Sequence, residues 1–166
     1  MSILPQQRQF DHIYLATDHA GLDHKDAVRG WLQAEGWSVT DFGAFVRNDE
    51  DDFPVFISQV ARTISQSPQQ AGVIFGGSGQ GEAMLANRFP NVRATVYYGG
   101  PDEIITLSRE HNDANILSIG TRFVDVDTTK RLLWEWLHTP RLEQTKYVRR
   151  NQQIAHLTKQ IRPLSS

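Results

Sequence analysis

The sequence predicts a single-domain, three-layer αβα sandwich, with a five-stranded parallel sheet, helices on both faces and an extra C-terminal helix. Three observations carry this. Short apolar runs alternate with helix-periodic segments about five times along 166 residues, the pattern of successive βα units. The central run, Val73-Ile74-Phe75, reads as a buried strand. It passes straight into Gly76-Gly77-Ser78-Gly79-Gln80-Gly81-Glu82 and then into the helix-like Ala83-Met84-Leu85-Ala86-Asn87-Arg88. A strand that breaks into glycines and restarts as a helix presents a row of backbone N–H groups at the helix start.

The elements follow in order. Residues 1–10 read as a poorly ordered lead-in, and residues 13–16 as a first strand ending in Thr17-Asp18-His19-Ala20-Gly21. Ala27, Val28, Trp31 and Leu32 then recur at helical spacing, and Gly36 stops that helix. Residues 38–42 form a second strand closed by Gly43. The loop after it carries the acidic run Asp49-Glu50-Asp51-Asp52, which reads as a solvated face. Pro54 suits the first turn of a helix whose stripe is Val55, Phe56, Val60, Ala61 and Ile64. Pro68 breaks it ahead of the central strand. Residues 92–98 and 115–119 supply the fourth and fifth strands, with helices over about 102–110, 127–137 and 142–161. No repeat or long linker divides the chain, so residues 1–166 read as one domain. In a Rossmann/flavodoxin-like sheet of strand order 2-1-3-4-5, ligands sit beyond the carboxyl ends of strands one and three. Asp18-His19 and the glycine loop flank that crevice.

Composition narrows the chemistry. A net charge of −2 argues against a nucleic-acid partner. Without cysteine there is no disulfide, thiolate nucleophile or cysteine zinc site. The absence of paired histidines at ligand spacing points to neither metal nor cofactor. No apolar run approaches the length of about 18 residues that a membrane span needs. No signal peptide is read at the N-terminus, so a cytoplasmic protein is the default.

The loop lacks the Lys-Ser/Thr of a P-loop, and its glycines stand in the third βα unit rather than the first, where a dinucleotide fingerprint belongs. Glu82 argues against phosphate alone, because like charges repel. The stretch reads as an anion hole with an acid/base group attached. Asp18 either caps the following helix or acts at the crevice. His24, five residues after His19, is at the wrong spacing for a shared metal. His111 and Asn112 lie where a helix hands over to a strand, Arg122 ends the fifth strand, and Arg149-Arg150 lie on a polar helix. Each of these also reads as ordinary surface. The set suits proton transfer beside a carbonyl of an anionic substrate.

Taken together, Ala16-Thr17-Asp18-His19-Ala20-Gly21, the 76–82 loop, Ala86-Asn87-Arg88 and Arg109-Glu110-His111-Asn112-Asp113-Ala114 resemble the type B ribose-5-phosphate isomerase family. That family also includes galactose-6-phosphate isomerase subunits. The resemblance covers about residues 12–155. The loop is similar to the branch that uses Glu as base, the other branch carrying Cys where this chain has Gly76. The resemblance implies metal-free interconversion of an aldose and a ketose phosphate through a cis-enediolate, with ribose 5-phosphate and ribulose 5-phosphate the first pair. It implies that Glu82 moves the proton between C2 and C1. The N–H groups of Gly77, Gly79, Gln80 and Gly81 would hold the enediolate oxygen, and Ser78 would shuttle the hydroxyl proton. Asp18 and His111 would assist ring opening, His19 and Asn112 would bind sugar oxygens or phosphate, and Arg122 and Arg149 would hold the phosphate. A homodimer with subunit-spanning sites is implied, with a tetramer as the alternative.

Two positions depart from the family pattern. Phe53 stands where Tyr is usual, and Gln153 where a phosphate-binding Arg is usual, leaving Arg150 to compensate. A hexose phosphate or unphosphorylated sugar is therefore the alternative substrate, and a non-catalytic sugar-phosphate sensor the alternative class. One physical conflict also stands. A helix N-terminus lowers a carboxylate's pKa, whereas a base at neutral pH wants it raised, so burial of Glu82 must outweigh the dipole.

Overall fold

The computed structural model describes residues 7–161. Its elements are β1 (His12–Thr17), a 3₁₀ turn (His19–Gly21), α1 (Leu22–Ala34), β2 (Ser38–Asp41), α2 (Phe53–Gln66) and β3 (Ala71–Gly76). They continue with α3 (Gln80–Ala86), β4 (Ala94–Tyr97), α4 (Glu103–Asn112), β5 (Ile116–Gly120), α5 (Val126–His138) and α6 (Thr145–Gln160).

Because alternate strand residues point to opposite faces, each strand feeds two cores. Ile13, Leu15, Val73, Phe75, Leu117 and Ile119 pack with Val28 and Leu32 of α1, Ile105 of α4 and Trp136 of α5. Ala16, Ile74 and Ile116 pack on the other side with Ile57, Val60 and Ile64 of α2 and Ala86 of α3. Helices cover both faces, which is why β3 is an unbroken apolar run rather than an alternating one.

All the pairings are parallel, and the strand order is β2-β1-β3-β5-β4. The last two strands are exchanged relative to the expected 2-1-3-4-5. Burial explains the exchange. Every residue of β5 is buried, whereas three of the four in β4 are only partly so, and the more apolar segment takes the interior slot. The exchange sets Gly120 opposite Gly76, which brings Thr121 and Arg122 beside the glycine loop.

Two further features depart from expectation. Phe10 is part of the core, stacked on Trp136 at 5.3 Å, and Arg8 donates to the carbonyls of Glu35 and Gly36. Residues 1–6 of the expected lead-in lie outside the described residues. In contrast to α1–α5, α6 buries none of its own residues. It is attached to α4 by stacking of Tyr147 on His111 at 4.1 Å and by Asn151, which donates to the His111 carbonyl at 3.2 Å. No helix among the described residues is long and apolar enough to cross a membrane.

Candidate active site

At the end of β3 the chain turns through Gly79, which has φ of 74°, and enters α3. A side chain there would also lie 3.0 Å from the Ile119 carbonyl carbon, so glycine is required twice over. The loop is held by its carbonyls. Thr121 N–H donates to Gly76 O at 2.9 Å, Arg122 N–H to Gly77 O at 3.1 Å, and Ser118 Oγ to Gly79 O at 2.6 Å. The N–H groups of Gly77, Ser78, Gly79 and Gly81 make no hydrogen bond among the described residues, while that of Gln80 donates to Ser78 Oγ at 3.4 Å. The result is a fixed row of unpaired donors, the arrangement that stabilises a developing oxyanion.

Glu82 lies in the first turn of α3 and is only 5% exposed. Burial is the largest influence on it and pushes its carboxyl above the usual range. Its own backbone N–H opposes this, and the charge of Asp18 reinforces it. Burial thus outweighs the opposing donor at the helix start. The carboxylate rests directly on Gly76: a Cβ on that residue would fall 2.0 Å from Oε1. The Cys that the other branch carries at this position would compete with Glu82 for one volume.

Asp18 caps the 3₁₀ turn, accepting from Ala20 N–H at 3.0 Å, and is itself buried. The capping reading is met at the 3₁₀ turn, and the charge of Asp18 is also felt by Glu82 and by His19. The acidic run is not uniformly solvated, which corrects that expectation. The side chain of Asp51 is 9% exposed, against 74% for Asp49. The chain after β2 folds back over the end of β1, with Thr17 N–H donating to Gly43 O and Ala44 N–H to Thr17 O, both at 2.7 Å. Downstream of that fold, Asp51 Oδ1 accepts from His19 N–H at 3.1 Å and lies 2.6 Å from His19 Nδ1. The hydrogen bond from Asp51 is the main reason that the His19 pKa is raised. Ligand atoms of Asp18, His19 and Asp51 lie within 4.8 Å of one another. His24 is a core residue, 2.9 Å from Thr129 Oγ1, its pKa lowered by burial.

Around the loop, the Arg122 guanidinium carbon lies 3.0 Å from where a Gly77 Cβ would be, and the Phe53 ring 3.2 Å from that of Gly81. Thr121 Oγ1 ties the two loops together, bonding the carbonyls of Gly76 at 3.0 Å and Ala20 at 3.2 Å. Sequence reasoning missed Asp51 and Thr121. No spacing rule joins Asp51 to a histidine 32 residues away, and Thr121 reaches Gly76 only because β5 neighbours β3.

Asp18, His19, Ser78, the loop glycines, Gln80, Glu82 and Arg122 therefore converge. His111, Asn112, Arg149 and Arg150 do not. His111 and Asn112 form the last turn of α4, which feeds the amino end of β5, whereas Glu82 follows the carboxyl end of β3. The two strands run parallel in register from Gly72–Ile116 to Gly76–Gly120. Four residue rises, about 13 Å of sheet, separate the two ends. Asn112 instead lines a groove of about 420 Å³ with Asn87, Arg93, Asn151 and Ile154, and Arg149 and Arg150 are exposed on α6.

Comparison with known proteins agrees with this geometry. A family profile described as Ribose/Galactose Isomerase matches residues 13–154. The chain is 34% identical over 139 residues to ribose-5-phosphate isomerase B of Mycolicibacterium paratuberculosis, covering 83% of this chain and 86% of that one. It is 32% identical over 125 residues to the Escherichia coli protein of the same name, covering 75% and 82%. The crystal structure of ribose-5-phosphate isomerase B from Mycoplasma genitalium with bound ribulose-5-phosphate superposes with a TM-score of 0.85 at 27% identity, over 93% of this chain and 100% of that one. The Clostridium thermocellum enzyme gives 0.82 at 31% identity, over 90% and 98%. The profile match over residues 13–154 and the identity to these relatives make this chain a member of the ribose/galactose isomerase family.

Proposed function

We propose that this chain interconverts ribose 5-phosphate and ribulose 5-phosphate through a cis-enediolate, with Glu82 moving the proton between C2 and C1. Aldose–ketose isomerisation is the activity that its relatives carry by name. The observation that carries the mechanism is the position of Glu82, buried against Gly76 beside a row of unpaired N–H groups. Burial raises the carboxyl's pKa, which makes it a stronger base for accepting a proton and returning it. Each oxyanion donor contributes about 3–4 kcal/mol of transition-state stabilisation. Ser78 passes the proton between the hydroxyl and carbonyl oxygens, and Asp18 assists ring opening. His19 and Arg122 bind the anionic substrate.

In this reading the remaining groups come from a second copy of the chain in a homodimer, whose site receives the partner copy of His111, Asn112, Arg149 and Arg150. Two observations support it: the sheet length between His111 and Glu82, and an α6 that buries nothing and exposes Ile154 and Leu157. A tetramer would repeat that pairing. A cytoplasmic location suits a charged sugar phosphate as substrate.

The test is exchange of the C2 proton with deuterated solvent. Glu82→Gln should abolish exchange and turnover while ribulose 5-phosphate still binds; near-normal exchange would sink the mechanism. A second substrate reading, a hexose phosphate or an unphosphorylated sugar, is favoured by Phe53 against Gly81 and by Gln153 on α6. A panel of pentose and hexose phosphates and free sugars separates the two, and a clear preference for ribose 5-phosphate removes the second.

A further inference from the structure

Asp51 is a half-buried carboxylate with an incomplete set of partners. Its Oδ1 serves a single residue, accepting from the backbone N–H of His19 at 3.1 Å and contacting Nδ1 at 2.6 Å. Its Oδ2 is buried and has no hydrogen-bond partner among the described residues. A buried carboxylate with one oxygen unsatisfied is costly unless positive charge lies beside it. The group that it touches is the His19 imidazole.

Hydrogen-bond logic fixes the ring. An ionised carboxylate only accepts, so the hydrogen of that bond belongs to Nδ1. The other nitrogen, Nε2, has no partner among the described residues. If the ring is neutral, Nε2 is an acceptor; if it is cationic, Nε2 is a donor. The surroundings choose between these. Asp51, Asp18 and Asp49 all favour the cation, against partial burial of the ring. The cleft of about 250 Å³ that His19 shares with Asp23, His24, Arg47 and Thr121 adds one more carboxylate and one opposing guanidinium. Arg47 is drawn away by Asp49 at 3.3 Å and Asp23 at 4.0 Å, and His24 is a buried group that disfavours charge.

We propose that Asp51 is a positioning residue for His19, which anchors Nδ1–H and keeps the imidazole cationic so that Nε2–H donates to an anionic oxygen of the substrate. The substrate half of this rests on the sugar-phosphate reading of the site; the anchoring half does not. Asp51 is thus separated from its acidic neighbours, which remain solvated. It acts through His19 and touches no substrate atom itself.

The anchoring half is tested on the ligand-free protein by NMR titration of its six histidines, with His19 assigned from the His19→Gln spectrum. His19 is expected to titrate above 6.5 and to carry its neutral-form hydrogen on Nδ1. Asp51→Asn keeps the shape and an acceptor oxygen but removes the charge, so the titration should fall back towards 6.5. A wild-type His19 titrating at or below 6.5 overturns the proposal without any variant, as does an unchanged titration in Asp51→Asn.

The substrate half is read from KM for ribose 5-phosphate. The ratio of Asp51→Asn to wild type should be near one at about pH 5.5, where both rings are charged. It should climb to about three- to tenfold at about pH 8, with kcat changed less, because each unit of pKa is a tenfold change in the charged fraction. Asp51→Ala, which also frees the ring, should raise KM at every pH. A ratio that does not vary with pH overturns the role of the cation in binding, because a merely structural defect would give that result. Absence of wild-type turnover on ribose 5-phosphate would remove the functional reading while leaving the titration to decide what Asp51 does.

Discussion

Adding one methyl group to Gly76 should disable the site without unfolding the protein. In Gly76→Ala the new Cβ would lie 2.0 Å from Glu82 Oε1, 2.2 Å from Cδ and 2.6 Å from Oε2. Non-bonded heavy atoms rest at about 3.5–4.0 Å, so the nearer carboxylate oxygen must retreat by about 1.5–2 Å. What moves is the end of a flexible side chain, so the fold can yield at little cost in stability. The chemistry cannot yield so easily. A displacement of about 1 Å costs about a hundredfold in rate, or about 2.7 kcal/mol of barrier. The control is the same methyl four residues earlier on β3. In Gly72→Ala the Cβ would meet Val60 Cγ1 at 2.8 Å and Ile116 Cγ1 at 2.9 Å, both core atoms. Overpacking of that kind costs about 1–3 kcal/mol of stability and leaves the loop in place. Urea denaturation and kcat for ribose 5-phosphate, measured on both variants, should therefore separate cleanly. If Gly76→Ala retains kcat within about threefold of wild type, less than 1 kcal/mol, the position of the Glu82 carboxylate is not what the rate depends on.

Folding raises the pKa of Glu82, so its contribution to stability is complete below the ordinary value of 4.5 and is lost as pH rises through the folded value. Glu82→Gln, which keeps the shape of the protonated acid, should accordingly raise Tm at neutral pH, with the two melting curves converging near pH 4; an unchanged Tm at neutral pH would deny the burial penalty. Mixing inactive Glu82→Gln with inactive His111→Ala should restore about a quarter of wild-type activity after subunit exchange, because in a twofold dimer each heterodimer rebuilds one intact site. No restoration would place His111 and Glu82 in sites of the same chain, against the sheet geometry. Lys25 is fully buried against Asp41, which Arg29 also contacts at 2.8 Å. Lys25→Ala should lose about 1.5–3 kcal/mol in chemical denaturation, because it removes one charge-assisted bond to Asp41 while Arg29 keeps the other.

Where a residue's surroundings are local, the sequence was readable. The strand, the glycine turn and Glu82 in the following helix are consecutive, so their order shows in the sequence even though Ser118, Thr121 and Arg122 hold the turn. The exchange of β4 and β5 was harder, because order in a sheet depends on relative burial. Ile116-Leu117-Ser118-Ile119 outcompetes Ala94-Thr95-Val96-Tyr97 for the interior by its apolar content, a comparison that no single-strand pattern expresses. Asp51 was misread because acidic runs are usually solvated, and only the fold of the loop over β1 shows which of four neighbouring acids turns inwards. His111 and Arg149 were identified through family resemblance. That resemblance says nothing of distance, and only the parallel register of β3 and β5 puts the His111 end of α4 at the opposite end of the sheet from the glycine loop.

The way the glycine loop is tethered gives it an uncommon combination of properties. Its carbonyls are bonded to the backbone after β5 and to Ser118, while four of its amides have no hydrogen-bond partner among the described residues. Backbone amides usually exchange with solvent quickly because the segment around them opens. Here the amides would exchange quickly while the segment stays shut, since there is no internal bond to break. The loop would look mobile to an isotope and rigid to a protease. An anion arriving at those amides would slow their exchange without ordering anything, because the order is already there.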